Sequence, residues 1–253
     1  GWLQEIPKPV TSLTWDNAAL VSLKVAKKLN IKNGQMIEIK VDNNSIKLPA
    51  WITPGQNQKS ISLELGYGRE FQGRLGNGVG FNVYPLRMSN NPSYSLNASI
   101  SVLDETYPLA STQDHHGLEQ DQYAAPGFDK LSNNEVQSRI PELVKQSTLD
   151  YYKDNPDWVQ KKVEEHKPDK KRSWADHSMY NPEPEYDYSK GPQWGMSIDV
   201  TSCTSCNACS IACQSENNIP VVGKQQVMNG REMHWIRIDN YFAGDPDNPE
   251  MST

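Results

Sequence analysis

Residues 203–213 read Cys203-Thr204-Ser205-Cys206-Asn207-Ala208-Cys209-Ser210-Ile211-Ala212-Cys213, and they include all four cysteines of the chain. The spacing is C-x2-C-x2-C-x3-C, in which cysteine thiolates hold iron–sulfur clusters. Three thiolates on one loop can wrap one face of a cubane cluster, and the fourth, one helical turn further, can reach a second cluster. We therefore predict that Cys203, Cys206, Cys209 and Cys213 bind the metal of 4Fe-4S clusters.

Zinc binding, disulfide bonding and structural burial are the alternatives for the cysteine run. Zinc sites usually use two cysteine pairs separated by about a dozen or more residues, and this chain has no such spacer. Disulfides stabilise small domains rather than long chains with few cysteines. Buried structural thiols would have apolar neighbours, whereas Thr204, Ser205 and Asn207 are polar. Iron–sulfur binding is favoured, with zinc as the main alternative.

The flanking residues suggest half of a small α/β module around the cysteines. Residues 196–200 alternate as in a short strand. Residues 208–216 favour a short helix, with Pro220 at a plausible stop. Residues 233–239 are typical of a returning strand. We expect the other half, with its own cysteines, beyond residue 253.

Length and composition limit the classes of function. The chain has 253 residues, enough for one or two domains, and 36% of them are hydrophobic. The net charge of −6 and pI of about 5.4 argue against nucleic-acid binding, which favours a basic face. No apolar run approaches the ~18 residues needed to span a membrane. No targeting segment is evident, so we expect any such segment to lie outside this sequence. The chain begins at Gly1 without an initiator Met and stops at Thr253, and we expect it to be part of a longer polypeptide.

Residues 13–103 predict a small β-barrel with one early helix. Thr14 is a reasonable N-cap for a helix running to about Leu29. Residues 37–41 alternate as in a half-buried strand. Residues 46–48 are predicted to form a strand that runs back beside the first, and Pro49 suggests that this strand ends there or lies at an edge. Further short strands are predicted at 61–65, 83–86 and 100–103.

Six glycines between residues 66 and 80 have two interpretations. Glycine lets backbone N–H groups approach a phosphate closely, so the stretch could bind an anion. However, neither a G-x-G-x-x-G nor a Walker motif is present, and no helix pattern follows directly. Tight turns are the favoured interpretation, and a ligand loop is the alternative.

The order of several short motifs indicates a family for the first part of the chain. They are Thr14-Trp15-Asp16-Asn17, Lys32-Asn33-Gly34, Leu48-Pro49-Ala50, Pro54-Gly55, Leu65-Gly66-Tyr67-Gly68-Arg69 and residues 76–86. In this order they resemble the C-terminal dinucleotide-binding barrel of molybdopterin oxidoreductases, a double-psi β-barrel. The resemblance covers roughly residues 13–103.

The last part resembles a second family. Residues 194–199, the cysteine run, and residues 213–224 and 230–239 are similar to the four-cluster ferredoxin subunits that accompany molybdopterin enzymes. Gln214 stands where the ferredoxin run has Pro, in agreement with the multi-cluster subunits. The two parts in one polypeptide resemble the iron–sulfur subunits of the bacterial alternative complex III family.

This resemblance implies a mixed α+β chain in three parts. Residues 1–106 would form the molybdopterin dinucleotide-binding-like barrel, and residues 194–253 the N-terminal part of a 4Fe-4S ferredoxin-like domain. Residues 107–193, rich in Asp, Asn, Lys, Tyr and Pro, would form an extended, partly helical linker packed on neighbouring surfaces. Helical stretches are expected within residues 133–152 and near residues 158–166.

The resemblance also implies a function. The chain would relay electrons from quinol oxidation towards c-type cytochromes, as part of a membrane-associated quinol:electron-acceptor oxidoreductase. Its partners would be a polysulfide-reductase-type quinol-binding membrane subunit, a multihaem cytochrome c subunit and other respiratory subunits, at the periplasmic face of the bacterial cytoplasmic membrane. A 3Fe-4S cluster is expected further downstream. The barrel would be a scaffold without molybdopterin, and no residue of this chain is assigned a catalytic role.

Two further functions stay open from the sequence. The first is a catalytic molybdopterin oxidoreductase of the polysulfide or dimethyl sulfoxide reductase type, with a fused ferredoxin module. Its active site would lie upstream of Gly1, and molybdenum or tungsten would identify it. The second is a zinc-stabilised interaction module, which iron-type visible absorption would exclude.

Overall fold

The computed structural model describes residues 2–71, 73–112, 145, 147–165, 190–192, 194–245 and 247–252. These residues fall into two compact units. One unit comprises the described residues up to 112 together with those from Thr204 onward, and the other comprises those between 145 and Cys203. The predicted linker lies largely outside the described residues, as does most of the region 133–152 in which helical stretches are expected.

Short helices and strands alternate along the described chain. Before residue 113 they are α1 (Trp2–Glu5), β1 (Leu13–Thr14), β2 (Ala19–Val21), α2 (Leu23–Leu29), β3 (Gln35–Val41), β4 (Asn44–Ile52), β5 (Ser62–Leu63), α3 (Gly73–Gly76), a 3-10 turn (Tyr84–Leu86), β6 (Ser99–Thr106) and β7 (Ala110–Ser111). After residue 144 they are α4 (Leu149–Asp154), α5 (Trp158–Glu165), α6 (Ala208–Glu216), α7 (Lys224–Met228), β8 (Tyr241–Asp245) and β9 (Asn248–Ser252).

A five-stranded sheet organises the first unit, with strand order β5-β2-β4-β3-β6. Strands β2 and β4 are parallel, and the other neighbours are antiparallel. In β3, Ile37, Ile39 and Val41 are buried and alternate with more exposed residues, as the sequence predicted. These side chains join the apolar core with Val21 and Leu48. The double-psi barrel itself stays a prediction.

The early helix begins later than predicted. Thr14 lies in β1, and Ala19–Val21 form β2 beside Ala50–Ile52 of β4. The helix α2 starts after Ser22, whose hydroxyl accepts a hydrogen bond from the Val25 N–H at 3.2 Å. The predicted helix start at Thr14 was wrong because Ala19 and Val21, two residues apart, bury their side chains as strand residues beside β4.

Pro49 lies within a central strand, whereas the sequence placed it at a strand end or an edge. Strand β4 pairs with β3 over residues 44–49 and with β2 over residues 50–52. Pro49 therefore lies where one neighbour gives way to the other. A residue without an N–H is tolerated there because a second ladder has not yet begun on the other side.

The segment predicted as a strand over residues 83–86 is a 3-10 turn, so this prediction was wrong. Pro85 lies at the start of the turn, where its fixed φ suits a helical backbone. The side chain of Asn82 accepts a hydrogen bond from the Tyr84 N–H at 3.0 Å. This local bond favours a turn over an extended strand. The strand predicted at 100–103 is confirmed within β6, and that at 61–65 shortens to Ser62–Leu63.

Two glycines of the glycine-rich stretch allow two loops to cross. A Cβ on Gly68 would lie 2.2 Å from the backbone nitrogen of Asn82. A Cβ on Gly80 would lie 3.0 Å from the backbone nitrogen of Gly68. Both residues have positive φ, +72° and +77°, which favours glycine. These two glycines are therefore required by the close approach of the loops, and the choice between tight turns and a ligand loop stays a prediction.

Two strands predicted around the cysteines are absent from the described structure. Residues 194–199 are irregular, and a turn begins at Val200. Residues 233–239 are also irregular, and the Arg237 Nε donates to the His234 carbonyl at 3.1 Å. In contrast, the helix predicted over residues 208–216 is confirmed as α6.

The second unit contains two short helices among its described residues. Thr148 caps α4, because its hydroxyl accepts a hydrogen bond from the Tyr151 N–H at 3.2 Å. Trp158 at the start of α5 packs edge-on against Tyr151, with 6.2 Å between ring centroids. Across the described part of the chain, no helix combines the length and apolar character needed to cross a membrane.

Candidate metal centre

Two of the predicted ligands lie on α6, which directly follows the cysteine loop. Cys209 is in its first turn, and Cys213 is four residues later, so both project from one face of the helix. Four residues correspond to a rise of about 6 Å along the helix axis. The two thiols are therefore offset by one turn, a spacing compatible with ligation of two different clusters.

The loop before α6 has an unusual backbone conformation. Ser205 and Asn207 both have positive φ, 55° and 59°. Such left-handed residues next to right-handed ones turn successive N–H groups into a concave surface that favours negative charge. Cys206 lies between these two residues.

Hydrogen bonds favour the thiolate of Cys206. The Ala208 N–H and, second, the Thr204 side chain donate to its sulfur and lower the pKa of the thiol. The thiolate is the form of cysteine that binds metals. None of the four cysteines is in a disulfide; Cys203, Cys206 and Cys209 are exposed, and Cys213 is half-buried.

Cys203 lies at the end of the second unit, after a short turn built on Asp199. The Asp199 carboxylate accepts hydrogen bonds from the backbone of Thr201 at 3.0 Å and from the Ser202 hydroxyl at 2.8 Å. The Ser202 side chain is the main cause of a lowered pKa at this exposed carboxyl. The Cys203 N–H then donates to the Val200 carbonyl at 3.3 Å, which fixes the backbone of the first cysteine.

The donor set fits an iron–sulfur cluster in its chemistry, because such clusters are held by cysteine thiolates. Gln214, which follows Cys213, is 1% exposed, and neither atom of its side-chain amide has a hydrogen-bond partner among the described residues. Buried polar groups normally have partners, so such an orphan is compatible with an additional bound group. Across the described residues, no three His, Cys, Asp or Glu side chains are grouped to hold a metal ion. The fit therefore rests on donor type rather than on a preassembled pocket.

The cysteine loop is tied to the N-terminal segment of the chain. The Asn207 side chain donates a hydrogen bond to the Pro7 carbonyl at 3.0 Å. The Asn240 side chain likewise donates to the Pro9 carbonyl. Residues about 200 or more positions apart in sequence thus share one local structure.

Glu5 is a second, stronger link. It is fully buried, and its carboxylate accepts from the Val222 N–H at 3.0 Å and the Gly223 N–H at 2.7 Å. The Trp15 indole N–H also donates to it at 3.2 Å. Hydrogen bonds to an ionised carboxylate are the stronger kind. Glu5 therefore anchors the chain between α6 and α7 to the first helix.

Asp16 forms a third link to the residues after the cysteines. Its buried carboxylate pairs with Lys224 Nζ at 2.7 Å and accepts from the Tyr107 hydroxyl at 3.0 Å and the Gly80 N–H at 2.7 Å. The Lys224 ammonium also lies 3.9 Å from the centroid of the Tyr107 ring. Burial, followed by the charge and hydrogen bond of Asp16, raises the pKa of Tyr107.

Lys8 forms a further ion pair in the unit that contains the five-stranded sheet. It pairs with Glu64 at 2.9 Å, and its ammonium lies 4.7 Å from the centroid of the Tyr67 ring. Burial lowers the pKa of Lys8 more than the charge of Glu64 raises it. Burial also raises the pKa of Tyr67 to about 12, with smaller contributions from Glu64 and Asp16.

Sequence reasoning missed the residues that hold the cysteine segment in place. Glu5, Asp16, Asn207 and Lys224 have no distinctive spacing. Asp16, Asn207 and Lys224 lie within stretches that carry the family resemblances, but no role was predicted for them. Their importance comes from burial and from partners distant in sequence. The capping pattern after Cys206, with a left-handed Asn, is the signal that could have indicated Asn207.

Comparison with known proteins gives one local similarity. No protein-family model matches the chain. A stretch of 27 residues is 63% identical to the menaquinone reductase iron–sulfur cluster-binding subunit of Nitratidesulfovibrio vulgaris. The matched stretch covers 11% of this chain and 11% of that protein. The chain is thus similar, over a short stretch, to a protein named as an iron–sulfur cluster-binding subunit.

Proposed function

We propose that this chain is an electron-transfer subunit that holds 4Fe-4S clusters through Cys203, Cys206, Cys209 and Cys213. The observation that carries the proposal is the C-x2-C-x2-C-x3-C run, with its last two cysteines one turn apart on α6. The short match to an iron–sulfur subunit supports it. When bound, such clusters supply one-electron transfer, and the protein around them supplies ligands and position.

The remaining residues of the site act by positioning. Asn207 and Glu5 fix the chain before and after α6 to the N-terminal segment. The Lys224–Asp16 ion pair fixes the start of α7 to the sheet unit. Electron transfer depends on fixed distances between centres, so a rigid attachment of the cysteine helix is what a relay requires.

The larger assembly is the finer part of this proposal. The chain would belong to a quinol:electron-acceptor oxidoreductase like alternative complex III, at the periplasmic face of the membrane. A polysulfide-reductase-type membrane subunit would deliver electrons, and a multihaem cytochrome c would accept them. The double-psi barrel would be a scaffold without molybdopterin. The presence of the sheet and α6 in one compact unit supports a scaffold role for the sheet.

A second candidate concerns the direction of electron flow. The relative is named a menaquinone reductase subunit, so electrons would travel towards the quinone rather than from it. The two candidates use the same cysteines and differ in their partners. Two assays of the purified assembly separate the candidates. Quinol oxidation with oxidised cytochrome c supports the first, and reduction of a menaquinone analogue by a reduced donor supports the second.

Metal analysis of the full-length protein in its assembly tests the first claim. After haem iron is subtracted, we expect iron and acid-labile sulfide in nearly equal amounts, with broad visible absorption that bleaches on reduction. Cys206→Ser should lower both, while Ser215→Ala, a change at an exposed serine of α6, should leave both unchanged. Zinc without non-haem iron would refute the proposal, and stoichiometric molybdenum would favour a catalytic molybdopterin enzyme.

The division of the cysteines is tested separately. We expect Cys203, Cys206 and Cys209 to hold one cluster and Cys213 to contribute to another. Cys213→Ser should then perturb a second signal in electron paramagnetic resonance spectra of the reduced assembly, and largely spare the first. If it perturbs only the cluster lost in Cys206→Ser, all four cysteines serve one cubane and the division is wrong.

A further inference from the structure

Asn217 places a hydrogen-bond donor at the sulfur of Cys213. The side-chain Nδ2 lies 3.6 Å from the Cys213 Sγ and 2.9 Å from the Cys213 carbonyl oxygen. The backbone N–H of Asn217 donates to the same carbonyl at 3.1 Å. Two bonds to the end of α6 thus hold the amide in place, and one of its N–H groups is available to the thiol sulfur.

The chemistry of this contact depends on the charge of the sulfur. A thiolate ligand carries negative charge, and the cluster gains a further electron on reduction. A donor N–H stabilises the more negative, reduced state more than the oxidised one. Hydrogen bonds to the sulfurs are among the factors that set the potentials of iron–sulfur clusters.

The donor at Cys213 differs in kind from the main donor at Cys206. The backbone N–H of Ala208 donates to Cys206, and a side-chain substitution cannot remove it. The donor at Cys213 is a side chain on the exposed end of α6. It can therefore be removed without altering a buried contact.

We infer that Asn217 is a positioning residue that raises the reduction potential of the cluster ligated by Cys213. The inference rests on the proposed function, because it requires Cys213 to be a cluster ligand. It assigns to one amide the control of how readily this centre accepts an electron. Asn217 does not bind the cluster; it acts through the Cys213 sulfur.

The test is a redox titration of the full-length assembly, monitored by electron paramagnetic resonance. The variants are Asn217→Ala, which removes the donor, and Asn217→Asp, which also adds a negative charge beside the sulfur. Ser215→Ala is the matched control, because the Ser215 hydroxyl donates to the Ala212 carbonyl within the same helix and no other contact of it is described among the residues that the structure covers. The signal lost in Cys213→Ser identifies the cluster to be followed.

We expect the reduced-to-oxidised ratio of that cluster at a fixed potential to fall up to about tenfold in Asn217→Ala, equal to about 59 mV for one electron. The ratio should fall further in Asn217→Asp and should match wild type in Ser215→Ala. If both Asn217 variants hold their clusters and the potential is unchanged, the inference is overturned but the proposed function is not. Loss of the cluster in Asn217→Ala, or an equal shift in Ser215→Ala, would show a structural role and also overturn it. Absence of clusters from wild type would overturn the proposed function itself.

Discussion

Substitution of Glu5 tests whether the N-terminal helix anchors the cysteine segment. Glu5 is fully buried, and its carboxylate accepts from the backbone N–H groups of Val222 and Gly223 and from the Trp15 indole. Glu5→Ala removes every one of these acceptors and leaves the three donors without their shared partner. Glu5→Gln keeps the shape and one oxygen but turns an –NH2 group towards a donor.

The expected cost follows from the donors left without partners. Each buried donor that loses its acceptor costs about 1–3 kcal/mol. The three donors share one carboxylate, so their costs do not add fully, and we expect Glu5→Ala to lose about 3–5 kcal/mol. That is a large part of the roughly 5–15 kcal/mol by which domains are stable. For Glu5→Gln we expect about 1–3 kcal/mol, because one acceptor remains.

Two measurements check this. Urea unfolding followed by tryptophan fluorescence gives the free energy, and hydrogen exchange reports the Val222 and Gly223 amides directly. Leu3→Ala is the matched control, because Leu3 lies on the same helix with 78% of its side chain exposed, and it should stay within about 0.5 kcal/mol of wild type. If Glu5→Ala matches Leu3→Ala in stability, or leaves the protection of both amides unchanged, the anchoring role is refuted.

Three further predictions concern the surrounding contacts. Lys224→Met leaves the buried Asp16 carboxylate unpaired and should cost about 3–5 kcal/mol in urea unfolding. Adding Asp16→Asn should recover part of that loss, and no recovery would contradict the pairing. Asn207→Gly keeps the left-handed backbone but loses the bond to Pro7, at about 1 kcal/mol. Asn207→Ala adds about 1–2 kcal/mol of backbone strain, so its thermal denaturation temperature should be lower than that of Asn207→Gly. The reverse order of the two temperatures would argue against the strain. The pKa of Tyr67 is raised from 10.0 to about 12, so the folded state favours the protonated phenol. The contribution of the protonated Tyr67 to folding stability should be present below pH 10 and lost as the pH rises towards 12. Phenolate absorbance is the second readout, and an identical loss of stability in Tyr67→Phe would refute this.

Local sequence patterns were sufficient to predict some helices and strands. The alternation in β3 and the helix-favouring stretch of residues 208–216 before Pro220 each predicted an element that the structure contains. The glycines at 68 and 80 lie where the chain crosses itself, and both have a positive φ that favours glycine. In these cases the information lies within one element or one turn.

Local patterns failed where a distant partner decides the backbone. Ala19–Val21 lie within the helix predicted from Thr14 to about Leu29, yet they form a strand because β4 lies beside them. Pro49 was expected at an edge, since no local signal shows that β4 changes neighbours at that residue. Residues 233–239 alternate as a strand would, but they have no partner strand among the described residues.

The sequence by itself determined the chemistry of the candidate centre. The four thiols and their spacing need no tertiary information, because ligand type and local reach are properties of one loop and one helix. Only the tertiary structure decided what holds that loop. Glu5 and Gly223 are 218 positions apart, and their 2.7 Å hydrogen bond exists because both are buried at one place in the fold. Burial makes an ordinary glutamate into an anchor, since inside the protein each donor must find an acceptor that water can no longer supply.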